Sequence, residues 1–416
     1  MKALVLGSGV IGVTTAYYLA RDGHEVTVID RHPEPANETT FANAGLVAPG
    51  HAFAWASPQA PKILLKSLVK GDQAFRLKPR LDPRMWSWIW LFLRECTEER
   101  TRFNTICKLR LCNYSLDALH GVVNETNVKY DCNVGGNLYL YRSQEAFDKG
   151  VDHMTILRDQ GLQLEVANRD RIAELEPALE PVKQKIAGGI HSPTDESGDA
   201  RMFTCALAQY CKEQKDVRFE FNTTIQALAI NGEGISRVVT DKGDRSADLY
   251  VLSLGWGSPF VSKKIGIDLP IYPVKGYSVT VPIGQSNSAP RLGGVDEEHL
   301  VAFARFGDRL RITATAEFSG YDRSYKPADF RTMFKVARDL FPAGADYDQP
   351  TYWAGLRPMT PGTTPILGGT KYRNLYLNTG HGHIGWTMSC GSAKITADII
   401  AGRKPDIDLT GLTLNS

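Results

Sequence analysis

The sequence lacks three features that would place it in a specialised class. It has no apolar stretch of the roughly 18 residues that a membrane span requires, since its run of interest, 85–93, is only half as long. Its 48 basic and 46 acidic residues leave a net charge of +2, which gives no global signature of nucleic-acid binding. Its seven cysteines are odd in number and form no C-x-x-C pair, so neither a disulfide framework, a zinc site nor an iron–sulfur cluster is indicated.

What remains is ordinary for a soluble globular protein. Hydrophobic residues make up 43% of the 416 residues and charged residues 23%, so one to three domains with sizeable cores are expected. The first apolar strand is predicted to begin at Met1, so we expect no signal peptide. The cysteine usage favours a reducing compartment, and we expect a cytoplasmic protein.

A dinucleotide-binding unit opens the chain. An apolar run at 2–6 leads into the G-x-G-x-x-G loop 7–12, a helix pattern follows, and a second strand, 25–29, ends at an acid. The first glycine allows the tight turn, the second lets a pyrophosphate approach the backbone, and the third lets helix and strand pack closely. The acid can accept hydrogen bonds from ribose hydroxyls. The candidate cofactor contacts here are Gly7, Gly9, Val10, Ile11, Gly12, Asp30 and Arg31.

This unit alone does not distinguish NAD from FAD, but later segments favour FAD. The chain leaves the unit near residue 50 and returns near 190, whereas NAD enzymes usually continue the parallel sheet at once. Small residues at 40–46 would let backbone approach a flat ring, and an apolar strand ends in a glycine at 255. Segment 380–387 precedes the last helix, whose positive dipole end suits the N1–C2=O edge of a reduced flavin. The candidate contacts are Asn43, Ala44, Gly45, Leu46, Thr224, Ile225, Gly255, Gly355, Gly380, His381, Gly382, Ile384, Gly385, Trp386 and Thr387.

Arg357 is the candidate for substrate binding. It lies in a loop between glycine and proline, and its planar fork matches a carboxylate bidentately. The alternative is a structural arginine in a surface ion pair, which its position just before the last flavin strand disfavours. His381 and His383 form no metal pair in this interpretation, because their spacing is wrong and no third ligand is near, so no metal is expected.

The order of elements predicts an α/β fold. We expect a glutathione-reductase-like Rossmann FAD-binding domain built from 1–55, 190–265 and 350–416. Residues 56–189 and 266–349 would form an α+β substrate domain with a mainly antiparallel sheet, because 270–350 are rich in short strands with glycine and proline breaks.

Five motifs occur in order over nearly the whole chain: GSGVIG (7–12), ANAG (42–45), YPVKGYS (272–278), GLRPMTP (355–361) and NTGHGHIGWTMSCGS (378–392). With them the chain resembles the D-amino acid oxidase superfamily of FAD enzymes, and within it the bacterial D-amino acid dehydrogenases of small-subunit type. The resemblance implies hydride transfer from the α-carbon of a D-amino acid to flavin N5, hydrolysis of the imine to a 2-oxo acid and ammonia, and electron transfer to a respiratory acceptor such as quinone.

The resemblance also implies residue roles. Arg357 corresponds to the carboxylate-binding arginine, and Lys275 and Tyr277 to a segment lining the substrate side of the flavin, although Tyr277 is equally well explained as a core residue. His383 stands where relatives have a small residue such as threonine, and it could alter substrate fit or titrate. The catalytic candidates are therefore Arg357, Tyr277, Lys275 and His383. Cys390 is interpreted as a buried helical cysteine, so FAD is expected to be non-covalent.

Two alternatives for the function stay open at this point. One is an enzyme for a secondary amine or glycine, with D-proline, a hydroxy-D-proline, sarcosine or glycine as substrate. The other is a flavin-bearing subunit of a larger electron-transfer complex.

Residues 62–93 carry a separate signal. Lys62, Lys66 and Lys70 recur every four residues, and tryptophans follow at 86, 88 and 90. This composition suits peripheral contact with an anionic membrane at the inner face of the cell membrane. A helix packed in the protein with a solvated basic face explains it equally well.

Overall fold

The computed structural model describes residues 1–67, 74–283 and 288–414. Its first elements confirm the opening unit, with strand, glycine loop, helix and strand in the predicted places. In chain order the elements of the first half are β1 (Lys2–Leu6), α1 (Val10–Arg21), β2 (Glu25–Ile29), β3 (Leu46–Val47), α2 (Ala60–Ser67), β4 (Phe75–Leu77), α3 (Pro83–Glu95), α4 (Glu98–Thr126), β5 (Asn137–Tyr141), α5 (Gln144–Asp159), β6 (Glu165–Asn168), α6 (Arg169–Leu175), β7 (Gly188–Ser192), β8 (Glu196–Ser197) and α7 (Ala200–Gln214).

The second half of the chain alternates strands from two sheets. Its elements are β9 (Arg218–Glu220), β10 (Ile225–Asn231), β11 (Gly234–Thr240), β12 (Leu249–Leu252), α8 (Ser258–Ser262), β13 (Tyr272–Pro282), β14 (Gly293–Asp296), β15 (Val301–Phe306), β16 (Arg309–Phe318), α9 (Arg331–Leu340), β17 (Thr351–Met359), β18 (Ile366–Gly369), β19 (Leu375–Thr379) and α10 (Gly385–Ile400). Short 3₁₀ turns lie at Pro49–His51, Pro177–Lys185, Gly255–Gly257, Lys263–Ile265, Pro327–Phe330 and Gly382–Ile384.

The first sheet has the order β18-β19-β12-β1-β2-β9, with β1 between β12 and β2. All of its pairs are parallel except β18 with β19. Its central strands are buried on both faces, which explains their nearly continuous apolar sequences. Helices α1, α4, α7 and α10 cover one face, and the β10–β11 hairpin with α8 covers the other. This arrangement brings the carboxyl ends of β1 and β2 to the start of α1.

The second sheet has the order β17-β13-β16-β15-β14-β5-β7-β6, with β4 beside β16. Its pairs are antiparallel apart from β14 with β5 and β16 with β4. Helix α9 packs on this sheet through one apolar face. The predicted fold class, a Rossmann-type sheet with a mainly antiparallel second sheet, is confirmed.

The sheets also place some segments differently from the sequence prediction. β17 falls inside the stretch 350–416, yet it pairs with β13 in the second sheet. α4 falls inside 56–189, yet it packs on α1 and α10. α9 interrupts 270–350, which the sequence predicts to be rich in short strands. Its buried residues recur with helical spacing, a signal that the surrounding glycine and proline breaks obscure: Met333, Val336, Ala337 and Leu340. The domain limits themselves stay a prediction.

Candidate active site

The phosphate loop between β1 and α1 has the geometry that its glycines predict. Gly7 has φ of +109°, which L side chains rarely adopt, and a Cβ on Gly12 would lie 1.9 Å from the Gly7 carbonyl oxygen. A Cβ on Gly9 would meet only the Thr40 hydroxyl within 4 Å, at 3.5 Å. Helix α1 has no side-chain cap at Gly9, although Thr40 Oγ1 accepts a hydrogen bond from the N–H of Val10 at 3.1 Å. The loop therefore leaves room and a positive helix end for a pyrophosphate.

Asp30, at the end of β2, faces the same space. Its Oδ2 accepts hydrogen bonds from the backbone N–H and the hydroxyl of Ser8, at 2.7 and 2.8 Å, and its Oδ1 accepts one from the N–H of His32 at 2.9 Å. A carboxylate has about four acceptor sites, so capacity remains for a ribose hydroxyl. The Arg31 guanidinium lies 5.1 Å from the ring centroid of Trp256 and adds a flat surface beside it.

A cavity of about 420 Å³ extends between Asp30 and Arg357. Both sheets contribute to it, which places a nucleotide-binding end and a substrate end in one continuous space. The predicted site residues that line it are Gly7, Gly9, Val10, Ile11, Asp30, Arg31, Asn43, Ala44, Gly45, Leu46, Thr224, Ile225, Gly255, Tyr277, Gly355, Arg357, Gly380, His381, Gly382, His383, Ile384, Gly385 and Trp386.

Gly12, Thr387 and Lys275 do not line this cavity. Gly12 serves the helix–strand packing described above. The Thr387 hydroxyl accepts a hydrogen bond from the N–H of Ala48 at 3.1 Å and donates one to the carbonyl of Leu46 at 3.3 Å. Thr387 thus ties the 42–48 loop to the start of α10, and its position suits support of the flavin loops rather than direct contact.

The start of α10 gives the cavity a second positive helix end. The helix begins at Gly385 and has no side-chain cap, so its first N–H groups and its dipole remain available to an anionic edge. His381 Nε2 lies 2.9 Å from Ser392 Oγ, and burial lowers the His381 pKa to about 3. This histidine is therefore neutral and fixes the loop to the helix that follows it.

Arg357 lies within strand β17, where it pairs with Val274 of β13, and not in the loop that the sequence predicts. The backbone of the second sheet holds its side chain. Its Nη1 donates to the carbonyl of Thr315 at 2.8 Å, and a Cβ on Gly276 would lie 2.4 Å from its Cζ. Among the described residues no carboxylate pairs with it, and burial lowers its pKa to about 10. A buried cation without a counter-charge is costly. An anion that enters the cavity would remove this cost.

His383 lies beside Arg357, on the turn that precedes α10. Its imidazole stacks on Trp55 with a centroid distance of 4.4 Å and an interplanar angle of 25°. Within the described chain both ring nitrogens are buried without a hydrogen-bond partner. Burial lowers its pKa well below 6.5, and the nearby positive groups Lys108, His51 and Arg357 lower it further. His383 is therefore a neutral ring beside the Arg357 guanidinium.

Lys275 and Tyr277 share one face of β13 and meet at Glu317. The sequence predicts Lys275 on the substrate side of the flavin, but its ammonium lies 3.1 Å from Glu317 Oε1 and donates to the carbonyl of Ser324 at 2.9 Å. The Tyr277 hydroxyl donates to Glu317 Oε2 at 3.0 Å. Burial, with the Glu317 carboxylate second, raises the Tyr277 pKa. The structure gives Lys275 an ion pair inside the second sheet, whereas Tyr277 lines the cavity with its hydroxyl already occupied.

Sequence reasoning missed several cavity residues. Trp256 directly follows Gly255, so the end of the predicted flavin strand could have indicated it. Trp55, Phe75 and His51 also line the cavity. They lie in a region without clear periodicity, where nothing in the sequence separates a cavity wall from ordinary core.

A dinucleotide cradle that opens onto a half-buried arginine with no carboxylate partner among the described residues is typical of a flavin-dependent oxidoreductase, and comparison with known proteins agrees. The chain belongs to the DAO family of FAD dependent oxidoreductases, whose family model matches residues 2–399. FAD is its cofactor. The cradle at Gly9 and the uncapped starts of α1 and α10 fit this group.

Individual relatives extend over the full chain. It is 50% identical to D-amino acid dehydrogenase 2 of Mesorhizobium japonicum, covering 99% of both chains. It is 46% identical to D-amino acid dehydrogenase of Bradyrhizobium diazoefficiens, covering 100% of this chain and 98% of the relative. Among solved structures, glycine oxidase from Geobacillus kaustophilus has the same fold, with a TM-score of 0.77 and 20% identity over 99% of this chain and 97% of that one.

Proposed function

We propose that this protein oxidises D-amino acids to 2-oxo acids and ammonia. The observation that carries the proposal is the half-buried Arg357 guanidinium, which faces the cavity and has no carboxylate partner among the described residues. The carboxylate of an amino acid supplies that counter-charge in the geometry for which guanidinium is best suited. The names of the full-length relatives, which are D-amino acid dehydrogenases, support the choice of substrate.

The chain's own groups would act by orientation and by electrostatics. Arg357 binds the substrate carboxylate, and the protein around the cavity excludes water from the reacting α-carbon. Bound FAD supplies the acceptor for the hydride that leaves the α-carbon of the neutral amine. The start of α10 places a positive helix end where negative charge develops. The imino acid product then reacts with water, which yields the 2-oxo acid and ammonia.

A dye-reduction screen of the FAD-loaded protein tests this proposal. D- and L-amino acids, glycine, sarcosine, D-proline and hydroxy-D-proline are compared under anaerobic conditions with an artificial electron acceptor. We expect turnover with D-amino acids and little with their L-enantiomers. Turnover restricted to glycine or to secondary amines would replace the proposed substrate class. No turnover with any of them, in protein that retains FAD, would favour an electron-transfer subunit.

We also propose that electrons pass to a respiratory quinone and that residues 62–93 contact the membrane. Residues 68–73, and with them Lys70, lie outside the described residues. In α3, Trp86 and Trp90 are 46% and 58% exposed, whereas Trp88 is 3% exposed and donates to the Met359 carbonyl at 2.8 Å. Among the described residues of this segment, the exposed large apolar side chains are Ile63, Leu65, Leu81, Trp86, Trp90 and Leu93.

This exposed set favours membrane contact over a simply solvated helix. Lys62 and Lys66 are also exposed and add positive charge beside it, which suits an anionic lipid surface. No helix in the described ranges combines the length and the apolar character needed to cross a membrane, so the contact would be peripheral. Some of the segment's other basic groups serve within the protein, as Arg76 does in its pair with Asp329 at 3.3 Å.

Vesicle co-sedimentation tests the membrane contact. We expect the wild type to pellet with vesicles that contain anionic lipid at low salt, less so at high salt. Trp86→Ser with Trp90→Ser should reduce the bound fraction. Val134→Ser with Val166→Ser, which changes exposed apolar residues elsewhere, is the matched control. Equal binding of both double variants, or no binding by the wild type, would contradict this assignment.

A further inference from the structure

Trp55 forms a wall of the cavity next to the substrate-binding arginine. It is half-buried and lines the cavity. Two other aromatic rings fix it: His383 stacks on it at 4.4 Å, and Phe75 meets it edge-on at 5.5 Å with an interplanar angle of 83°. Both partners line the cavity as well. Because Trp55 is in contact from two directions, it cannot turn aside without disturbing both.

The Trp55 ring lies about as far from the Arg357 guanidinium as the α-carbon of a carboxylate bound there would. The Cζ atom of Arg357 lies 6.0 Å from the Trp55 ring centroid. A carboxylate bound at charge-assisted distances of about 2.8 Å puts its α-carbon roughly 5–6 Å from that Cζ. The α-carbon and the Trp55 ring therefore lie at about the same distance from Arg357, and a substrate that binds on the Trp55 side of the guanidinium brings its side chain against this ring.

The stacked pair of Trp55 and His383 also carries no charge. His383 is neutral, because burial and the neighbouring positive groups hold its pKa well below 6.5. A neutral imidazole stacks on indole without the cost of burying a second charge beside Arg357. The sequence predicts that His383 could alter substrate fit. The structure supplies a physical reason, because His383 supports the Trp55 ring that bounds the cavity beside Arg357.

We propose that Trp55, held by His383 and Phe75, is the residue that limits side-chain size, so that the enzyme takes D-amino acids with compact side chains. This inference rests on the proposed function for the identity of the substrate. It assigns to Trp55 a role that neither the family model nor the names of the relatives specify. In this role Trp55 contacts the substrate's side chain, while Arg357 holds its carboxylate.

The role of Trp55 in limiting side-chain size can be tested by the binding of carboxylates that the enzyme cannot oxidise. Acetate and phenylacetate are titrated into FAD-loaded protein, and the change in the visible flavin spectrum reports binding. We expect wild type to bind phenylacetate more weakly than acetate. In Trp55→Ala the affinity for phenylacetate, relative to that for acetate, should rise by about tenfold, the scale at which pocket size discriminates between ligands. Tyr325→Ala, which removes an exposed ring outside the cavity, should leave the ratio unchanged.

Turnover gives the second readout. The ratio of kcat/KM for D-phenylalanine to that for D-alanine should rise in Trp55→Ala, and Trp55→Phe, which keeps a smaller ring, should fall between it and wild type. If Trp55→Ala fails to fold, Trp55→Phe carries the test. Unchanged ratios in both assays would overturn the role of Trp55. If Trp55→Ala raises the affinity for phenylacetate relative to acetate but the protein oxidises no D-amino acid, the role of Trp55 stands and the proposed function is refuted.

Discussion

Replacement of Arg357 by methionine separates binding from stability. The guanidinium is half-buried and has no carboxylate partner among the described residues, and burial lowers its pKa to about 10. Truncation of one member of a buried charge pair costs about 2–5 kcal/mol of binding. At 1.4 kcal/mol per factor of ten, this predicts a roughly 30- to 4,000-fold loss in kcat/KM for D-alanine. The folded protein gives up two hydrogen bonds, to the Thr315 carbonyl at 2.8 Å and to the Lys275 carbonyl at 3.5 Å, and no ion pair with any described residue.

The free energy of unfolding should therefore stay the same or rise by about 1–3 kcal/mol, because an apolar replacement removes an uncompensated buried charge. Arg311→Met is the matched control. Arg311 is more deeply buried, lies 3.5 Å from Asp199 and donates to the Thr280 hydroxyl at 3.1 Å. Its loss should lower stability by about 1–3 kcal/mol, since Asp199 loses one of its two cationic partners and keeps Arg309, at 3.2 Å.

For each variant, steady-state dye reduction gives kcat/KM and denaturant unfolding gives the free energy of unfolding, both measured on FAD-loaded protein. Arg357→Met with wild-type kcat/KM would remove Arg357 from the substrate site. A severe loss of stability in the same variant would show that its charge is compensated in the folded state, which would refute the argument for an anionic ligand.

The remaining predictions concern the cofactor and a buried lysine. Gly9→Val should fold but lose FAD, because its side chain fills the cradle beside Thr40; a yellow, active variant would contradict the assignment. Cys390 is buried in the core formed by α1, α4 and α10, so Cys390→Ala should retain FAD, and acid precipitation of wild type should release it into the supernatant. Lys108 is fully buried, donates to the Phe53 carbonyl at 2.6 Å and has a pKa lowered by burial from 10.5 to about 7. Above pH 7 the unfolded chain binds more protons at this position, so stability should rise with pH by up to about 1.4 kcal/mol per unit until near 10.5. Lys108→Met should lose that rise, and an identical pH slope in variant and wild type would show that the lysine is charged in the folded state.

The parts of the fold that could be predicted are those with local causes. The β1–α1–β2 unit is specified by an apolar run, three glycines and an acid within thirty residues, and the structure has it in place. Asp199 likewise caps α7, accepting hydrogen bonds from the N–H groups of Arg201 and Met202 at 2.9 and 3.2 Å. Such features depend on backbone geometry over a few residues, which the sequence states directly.

The parts that could not be predicted depend on distant partners. Alternation along β13 shows that Lys275 and Tyr277 share a face, but not that Glu317 on β16 pairs with the lysine. Trp55 has no local pattern, and its position depends on a histidine more than three hundred residues away. β17 belongs to the second sheet because it pairs with β13. No motif within β17 predicts this pairing.

The most direct test of the central claim is anaerobic mixing of the FAD-loaded protein with D-alanine or L-alanine, with the visible flavin absorbance recorded over time. We predict rapid loss of this absorbance with D-alanine, a far slower loss with L-alanine, and a loss with D-alanine that Arg357→Met slows by the factor given above. Persistent absorbance with D-alanine and every other D-amino acid tried, in protein that demonstrably holds FAD, would contradict the account.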